Sequence, residues 1–333
     1  MKLVVVTQRV DPDDPALGAT VPMLRALAER VDELVVLTLA AREAGLPANV
    51  RIKSIAARSQ ALRGVRLMAA LVPELGRGDV AVLAHMSPIY AVLAAPFVRA
   101  RRAPLLLWFT HWRVSRLLHL AERCATTVLS VDRVSFPIRS RKLVPIGHGI
   151  DLDALPCVAD RADGPLTLLA LGRTSPAKGL DAIVDAAARV DGVALEIRGP
   201  SLTDEERAYR ETLAAHARVL DPVPRSEIAG VYAQADVLVN NMREGALDKV
   251  VFEAAASCLP VLVASEGFEH LVAGIEPSLR FAQDDVDELA ARMRALVEIG
   301  VDARHRIGCE LRERVKQAHS VDHWADSVVE AAS

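Results

Sequence analysis

The sequence predicts an α/β protein of two doubly wound, Rossmann-like domains facing across a cleft. Three observations carry this. Short β-rich apolar runs alternate with amphipathic segments along the chain, the pattern of parallel sheets covered on both faces. The alternation breaks once, over 147–164 (GHGIDLDALPCVADRADG), where Gly, Asp and Pro replace any apolar period. At about 150 residues per domain, 333 residues make two, and with 51% hydrophobic residues each half can bury its own core. In such folds ligands bind beyond the C-terminal ends of the strands, which places the expected site in the cleft.

The elements follow in order. Residues 2–7 (KLVVVT) form a β-branched run, and 19–31 carry apolar residues at helical spacing. A strand is predicted at 33–39, a short one at 50–54 and a helix at 57–73. The long uncharged stretch 80–98 has the length of a membrane span, but Ser87-Pro88 divides it. That pair reads as a helix N-cap followed by proline at the first helical position, so the stretch becomes a strand (79–86) and a buried helix (87–101). Strand 104–109, helix 114–124 and strand 125–130 complete the first half. The second half repeats the theme with strand 166–171, helix 178–190, strand 193–198 and helices 203–217 and 225–234. Strand 236–240, helix 248–257 and strand 260–264 follow, and 284–333 reads as three helices.

Several function classes fall away. High apolar content and a net charge of −3 exclude disorder. The start has only four apolar residues before acids follow, too few for a secretory signal. Cys124, Cys157, Cys258 and Cys309 form no close pair in the sequence, which argues against zinc clusters and disulfide frameworks and points to a reducing cytoplasm. No G-x-G-x-x-G follows the first strand, and neither G-x-x-x-x-G-K-[ST], H-E-x-x-H nor G-x-S-x-G occurs. Nucleic acid is not an expected partner, because basic residues are not interleaved with aromatics.

The informative stretch is 167–180 (TLLALGRTSPAKGL). A strand ends in Gly172-Arg173, and Lys178-Gly179 opens a helix. A guanidinium, an ammonium and a helix N-terminus together suit an anionic diphosphate. The plainer reading is two surface cations on a loop. The chain holds 34 arginines and only six lysines, two of them Lys178 and Lys249, and so favours Arg except where a compact charge is useful. The second stretch, 236–260, leaves a strand through a polar loop with Arg243, Glu244 and Asp248 into a helix bearing Lys249 and Glu253. Acids there are placed to accept hydrogen bonds from sugar or ribose hydroxyls. Asp248 reads equally as an N-cap. Glu253 stands in the apolar run VVFEAAA and needs a partner.

These residues resemble glycosyltransferase family 4, of GT-B fold. Gly172-Arg173, Lys178-Gly179, Ala235-Asp236-Val237, Glu253-Ala254 and Pro260-Val261 look like its donor domain over 165–275, and Gly149-Ile150-Asp151 is similar to its Gly-Val-Asp before the second domain. The reading divides the chain into an acceptor-binding domain (1–148), a linker (149–164), a donor-binding domain (165–318) and a C-terminal helix (319–333) expected to pack back on the first domain. The resemblance implies a retaining, metal-independent transferase moving a sugar from a nucleoside-diphosphate sugar, with no cofactor. Arg173 and Lys178 would bind the diphosphate beside Gly172 and offset charge on the leaving group, and Glu253 would bind the ribose. The family's first glutamate, seven residues before the second, falls here on Gly245. Either Glu244 reaches the donor sugar from one residue early or Asp248 takes a hydroxyl contact, and Glu244 is favoured. Glu266-Gly267-Phe268 lies beyond the helix and is a decoy.

On the acceptor side, His111 follows strand 104–109 and matches a histidine the family places near donor sugar and acceptor; a packed or surface histidine is the plainer reading. Gly18 precedes the first long helix where family members let the acceptor approach the backbone. His148, between Gly147 and Gly149, is a weaker candidate, and His119 reads as structural. The Asp-x-Asp triplets Asp11/Asp13, Asp151/Asp153 and Asp285/Asp287 do not follow the strand carrying Arg173, where a metal bridge would sit, and read as loop and helix-start acids. Two alternatives stay open: a nucleotide-sugar 2-epimerase, and a non-catalytic nucleotide-sugar binder.

Charge adds one more expectation. Residues 1–150 carry 21 Lys and Arg against 11 Asp and Glu, and the remainder 19 against 32. The excess concentrates in 51–150, with 16 basic and four acidic residues. Arg58, Arg63 and Arg66 lie on a predicted helix with an apolar face, suited to an anionic bilayer, each basic residue adding about 1 kcal/mol near the surface. A solvated basic face over a core-facing stripe is the equal alternative. The expected acceptor is lipid-linked or phosphorylated, and the expected location cytoplasmic, peripheral on the inner face of the membrane.

Overall fold

The computed structural model describes residues 1–14, 17–76, 78–111, 113–157, 164–243 and 247–333. They divide into two compact units, Met1–Asp151 with Ala318–Ser333, and Leu152–Gln317.

The first unit is built on β1 (Lys2–Val10), α1 (Thr20–Ala28), β2 (Glu33–Ala41), β3 (Val50–Ser54), α2 (Gln60–Leu71), β4 (Val80–His85), α3 (Pro88–Ala100), β5 (Leu105–Trp108), α4 (Arg116–Cys124), β6 (Thr127–Ser130) and β7 (Leu143–Pro145). The strands form one parallel sheet in the order β3-β2-β1-β4-β5-β6-β7. In register, Val4 stands beside Val35 and Val82. Strand alternation then sorts side chains between two faces. Val4, Val6, Val35, Leu37, Val82, Ala84 and Leu107 share a core with Leu67 of α2, Ala91 and Ala94 of α3 and Leu118 of α4. Caps set where two of these helices begin: Ser59 accepts from the Leu62 amide and Ser115 from the Leu118 amide. The uncharged run 80–98 is β4 and α3, with Pro88 opening the helix. No described helix is long and apolar enough to cross a membrane.

The second unit contains β8 (Leu166–Leu171), α5 (Leu180–Ala187), β9 (Val193–Arg198), α6 (Asp204–Ala214), β10 (Arg218–Leu220), α7 (Ile228–Ala233), β11 (Val237–Asn240), α8 (Lys249–Ala256), β12 (Val261–Val263), α9 (Glu269–Val272), α10 (Val286–Glu298) and most of α11 (Gly300–His319). Its parallel order is β10-β9-β8-β11-β12. Strand order reverses between β8 and β11, the place where an open α/β sheet leaves a crevice beyond its strand ends.

The last helix, α12 (Val321–Ala332), belongs to the first unit and packs on α1. Trp324 meets Trp108 edge-on at 5.7 Å, and Arg30 pairs with Asp322 and Asp326. The return is stitched by Ile150 N donating to the His319 carbonyl (2.7 Å) and Val321 N to the Ile150 carbonyl (2.8 Å). Gly147 has φ 74°, and a Cβ there would overlap the Ala318 carbonyl, so glycine is required.

Two sequence expectations are corrected. The edge strands β7 (LVP) and β10 (RVL), absent from the sequence reading, have three residues each, too few to show a strand period, and form because β6 and β9 offer free ladder positions. The cysteines were expected to stay unpaired, yet Cys157 and Cys258, 101 residues apart, are joined as a disulfide. Spacing along the sequence could not show a pair that only the fold brings together.

Candidate functional site

The site is built where β8 and β11 end. At Gly172 the chain leaves β8 with φ 130°, and Gly199, after β9, has φ 152°. A Cβ on Gly199 would overlap the Gly172 carbonyl, so the two loops lie backbone on backbone. A short 3₁₀ turn, Pro176–Lys178, then delivers the chain to α5. Asn241, just past β11, fixes this loop by donating to the Gly179 carbonyl (2.9 Å) and to Asp284 (2.7 Å).

Two cations sit on the loop. Arg173 is exposed, and its Nε reaches Glu206 at 2.5 Å. The guanidinium holds the Glu206 carboxyl below its usual range. Lys178 is half-buried beside Gly172 and pairs with Asp248. Asp248 stands at the N-cap of α8 without capping it. Its carboxylate goes instead to Lys178 and to the Asn240 amide (3.0 Å), so the N-cap alternative does not describe its side chain.

Glu253, on α8, is buried, and three groups converge on it. Arg225 donates to it at 3.1 Å, the Tyr232 hydroxyl donates at 3.1 Å, and Lys249 Nζ lies 3.5 Å away. Burial alone would raise its carboxyl, but the Lys249 and Arg225 charges and the two hydrogen bonds outweigh it and hold the group below the usual range. Burial and the adjacent carboxylate push the Tyr232 phenol well up, so it remains a donor. The arrangement is a loop with two cations at a helix start, next to a charged, buried acid.

Residues 165–298 match the family model for group 1 glycosyl transferases. Solved structures agree on the GT-B fold for the whole chain. HepE from Anabaena, solved with UDP and glucose, aligns with a TM-score of 0.73 at 18% identity, over 99% of this chain and 98% of its own. A glycosyltransferase from Rickettsia africae aligns at 0.75 and 12%, over 99% and 97%. WaaG, a glycosyltransferase of lipopolysaccharide biosynthesis, aligns at 0.68 and 14%, over 99% of both chains. No curated protein sequence matches the chain.

Within the second unit the fold thus gathers Gly172, Arg173, Lys178, Asp248, Lys249 and Glu253 at one end of the sheet. Glu244, expected at the donor sugar, lies outside the described residues. Glu266 is exposed, 3.5 Å from Arg280, while Phe268 of the same triplet packs on Phe252 at 5.5 Å. Asp285 caps α10 through the Glu288 amide, and Asp287 pairs with Arg189, so that triplet is helix-start acids. Sequence reasoning missed Arg225, Tyr232, Asn240 and Glu206, the partners of the expected residues. The one available signal was the unpaired polarity of Glu253 in an apolar run.

The candidates of the first unit are placed separately. Gly18 is buried just before α1. His111 is exposed beyond β5; its Nδ1 accepts from the Arg113 amide at 3.0 Å, and its ring lies 6.4 Å from Phe109. His148 is buried, 6.2 Å from the ring of His319. A cavity of about 440 Å³ opens at the C-terminal strand ends, lined by Gln8, Gln60, Arg63, Ser87, Tyr90 and Leu93 among others. His85, the last residue of β4, is buried, with Nδ1 3.1 Å from the Thr7 hydroxyl, and burial pushes its imidazole down to about 4. Ile89, Leu117 and Arg63 of the cavity lining are exposed, as are Leu62, Val65 and Arg66 of α2 and Arg116 and Leu120 of α4. Helix α2 turns Leu67 and Leu71 inward, so its core stripe and its exposed apolar residues are different sets.

Proposed function

We propose that the protein is a retaining, metal-independent glycosyltransferase that takes a sugar from a nucleoside-diphosphate sugar. The observation that carries this is the pair Arg173 and Lys178, held beside the start of α5 with the buried, charged Glu253 in the same domain. The diphosphate binds the two cations and the α5 amides, and the ribose hydroxyls donate to Glu253. Asp248, itself fixed by Asn240, keeps Lys178 in position. As the bond from the anomeric carbon to the diphosphate breaks, Arg173 and Lys178 stabilise the charge growing on the leaving group, the task a metal performs elsewhere. Glu244 contacts the donor sugar in this reading. UDP and glucose bound to HepE support a uridine nucleotide donor.

His111 and Gly18 serve the acceptor, and the first-unit cavity is of a size for a small organic group. The exposed apolar and basic residues of α2 and α4 suit an anionic bilayer, which favours a lipid-linked or phosphorylated acceptor and a peripheral position on the inner face of the membrane. The test is release of nucleoside diphosphate from a panel of nucleotide-sugars. Arg173→Ala and Lys178→Ala should each abolish it, and unchanged turnover in both overturns the assignment. Flotation with anionic liposomes tests the surface: no binding at low salt removes the membrane.

A further inference from the structure

Three of the four cysteines meet in the second unit. Cys157 lies in the segment entering the second unit, Cys258 follows α8 and Cys309 lies on α11. Their sulfurs lie within 4.8 Å of one another, with Cys157 and Cys258 bonded and Cys309 an exposed thiol. His305, one turn earlier on α11, brings Nε2 to 3.4 Å from the Cys309 sulfur, although the group mutually within 4.8 Å is the three sulfurs alone, so the imidazole must turn toward the other two to join them.

The packing makes this convergence specific. A Cβ on Gly308 would overlap the Cys258 carbonyl, so α11 seats its backbone directly on residue 258, where the chain itself has φ 62°. Arg312, one turn further, donates to the carbonyls of Leu152 (3.1 Å), Leu155 (2.5 Å) and Ala256. One helix therefore fastens both segments that carry the other two cysteines.

Three thiolates and an imidazole are the donor set of a tetrahedral site for a soft or borderline divalent cation. We propose that Cys157, Cys258 and Cys309, with His305 as fourth ligand, bind one zinc-class cation when the disulfide is reduced. A dithiol reductant supplies two electrons; the Cys157–Cys258 bond breaks, both sulfurs become thiols and the dithiol closes to its own disulfide. The cation then displaces the three thiol protons into solvent and forms three metal–sulfur bonds, while the neutral imidazole binds through nitrogen. Disulfide and cation are mutually exclusive. The disulfide links two segments; the cation links the same two and adds α11.

The test uses the full chain, reduced and then exchanged anaerobically into reductant-free buffer. Titration with Co²⁺ should give a thiolate-to-cobalt charge-transfer absorption that saturates at one equivalent, is displaced by Zn²⁺ and is absent from the oxidised protein. Cys309→Ser, on an exposed position, should weaken Co²⁺ binding by about tenfold or more, and His305→Ala should weaken it while keeping the band. Cys124→Ser, in the first unit, should change nothing. Independently of any variant, Zn²⁺ should protect Cys157, Cys258 and Cys309, but not Cys124, from alkylation of the reduced wild type. No charge-transfer band, a band undiminished in Cys309→Ser, or an alkylation pattern indifferent to Zn²⁺ overturns the site.

Discussion

Glu253→Gln separates a donor-binding acid from a merely structural one. The substitution keeps shape and one acceptor oxygen and removes the charge. In the wild type the carboxylate takes Arg225 and the Tyr232 hydroxyl, both at 3.1 Å, with Lys249 at 3.5 Å. The amide can accept from only one of the first two and turns a donor toward the other. The loss is one charge-assisted hydrogen bond, about 1.5–3 kcal/mol. Arg225 and Lys249 each keep 27% of their side-chain exposure, so water recovers part of what the cations lose and the lower end, about 1.5 kcal/mol, is expected. At about 2–4 °C per kcal/mol for a unit of this size, Tm falls by about 3–6 °C.

Donor affinity is the second readout. A ribose hydroxyl that no longer meets a carboxylate forfeits a bond of the same class, so Kd for UDP by calorimetry should rise about 10- to 150-fold. Tyr232→Phe is the control. It removes the phenol bond, costs about 1 kcal/mol of stability and leaves the carboxylate charged, so UDP affinity stays near wild type. A Glu253→Gln protein with lowered Tm and wild-type Kd would refute the ribose role and leave Glu253 as a buried structural acid.

The remaining predictions concern pH, packing and surface charge. His85 has its native imidazole near 4, against about 6.5 unfolded, so the unfolded chain takes the proton first as pH falls. The stability it supports is complete above about pH 6.5 and is lost between there and pH 4, to the extent of about 3 kcal/mol; urea midpoints over that range should show the loss, and His85→Asn should flatten it. Gly199→Ala drives a methyl into the Gly172 carbonyl and should cost about 2–4 kcal/mol in urea unfolding, with loss of UDP binding. Gly192→Ala, also at positive φ (78°) but with open space around it, should cost about 1 kcal/mol. Replacing Arg63 and Arg66 by Ala should weaken binding to anionic vesicles by about 2 kcal/mol, close to thirtyfold, and leave UDP affinity unchanged; equal vesicle binding would detach α2 from the surface.

What was legible in the sequence follows the range of the interaction involved. The runs KLVVV and LTLLAL, and the split at Ser87-Pro88, are local, and β1, β8, β4 and α3 form where those patterns place them. The edges β7 and β10, three residues each, are too short to show a period, and their stabilisation is a ladder offered by a neighbour. The candidate site divides the same way. Arg173 and Lys178 are visible at a strand end and a helix start, but Glu206 lies 33 residues beyond Arg173 and Asp248 lies 70 beyond Lys178, pairings that only the sheet order creates. Glu253 is the instructive case, since an acid in VVFEAAA announces that partners exist without saying that they are Arg225 and Tyr232. The cysteines show the converse error, in which distance along the chain was taken for distance in space.

The charge division gains a physical reading from these placements. Each cation of the candidate site in the acidic half meets an acid: Arg173 meets Glu206, Lys178 meets Asp248, and Arg225 and Lys249 meet Glu253. In the proposed reading, a diphosphate arriving there would compete with resident carboxylates, which would limit nonspecific anion binding and reward a ligand that also engages Glu253. Helix α2 of the basic half is different in kind, although Lys2, Arg51 and Lys53 of that half pair with Glu33 and Glu74. Arg63 and Arg66 on α2 donate to backbone carbonyls of Ala57 and Ala56, contacts that leave their charge uncompensated. Uncompensated charge beside exposed Leu62 and Val65 is what an extended anionic surface recognises, whereas a compensated pair is what a small, specific anion displaces.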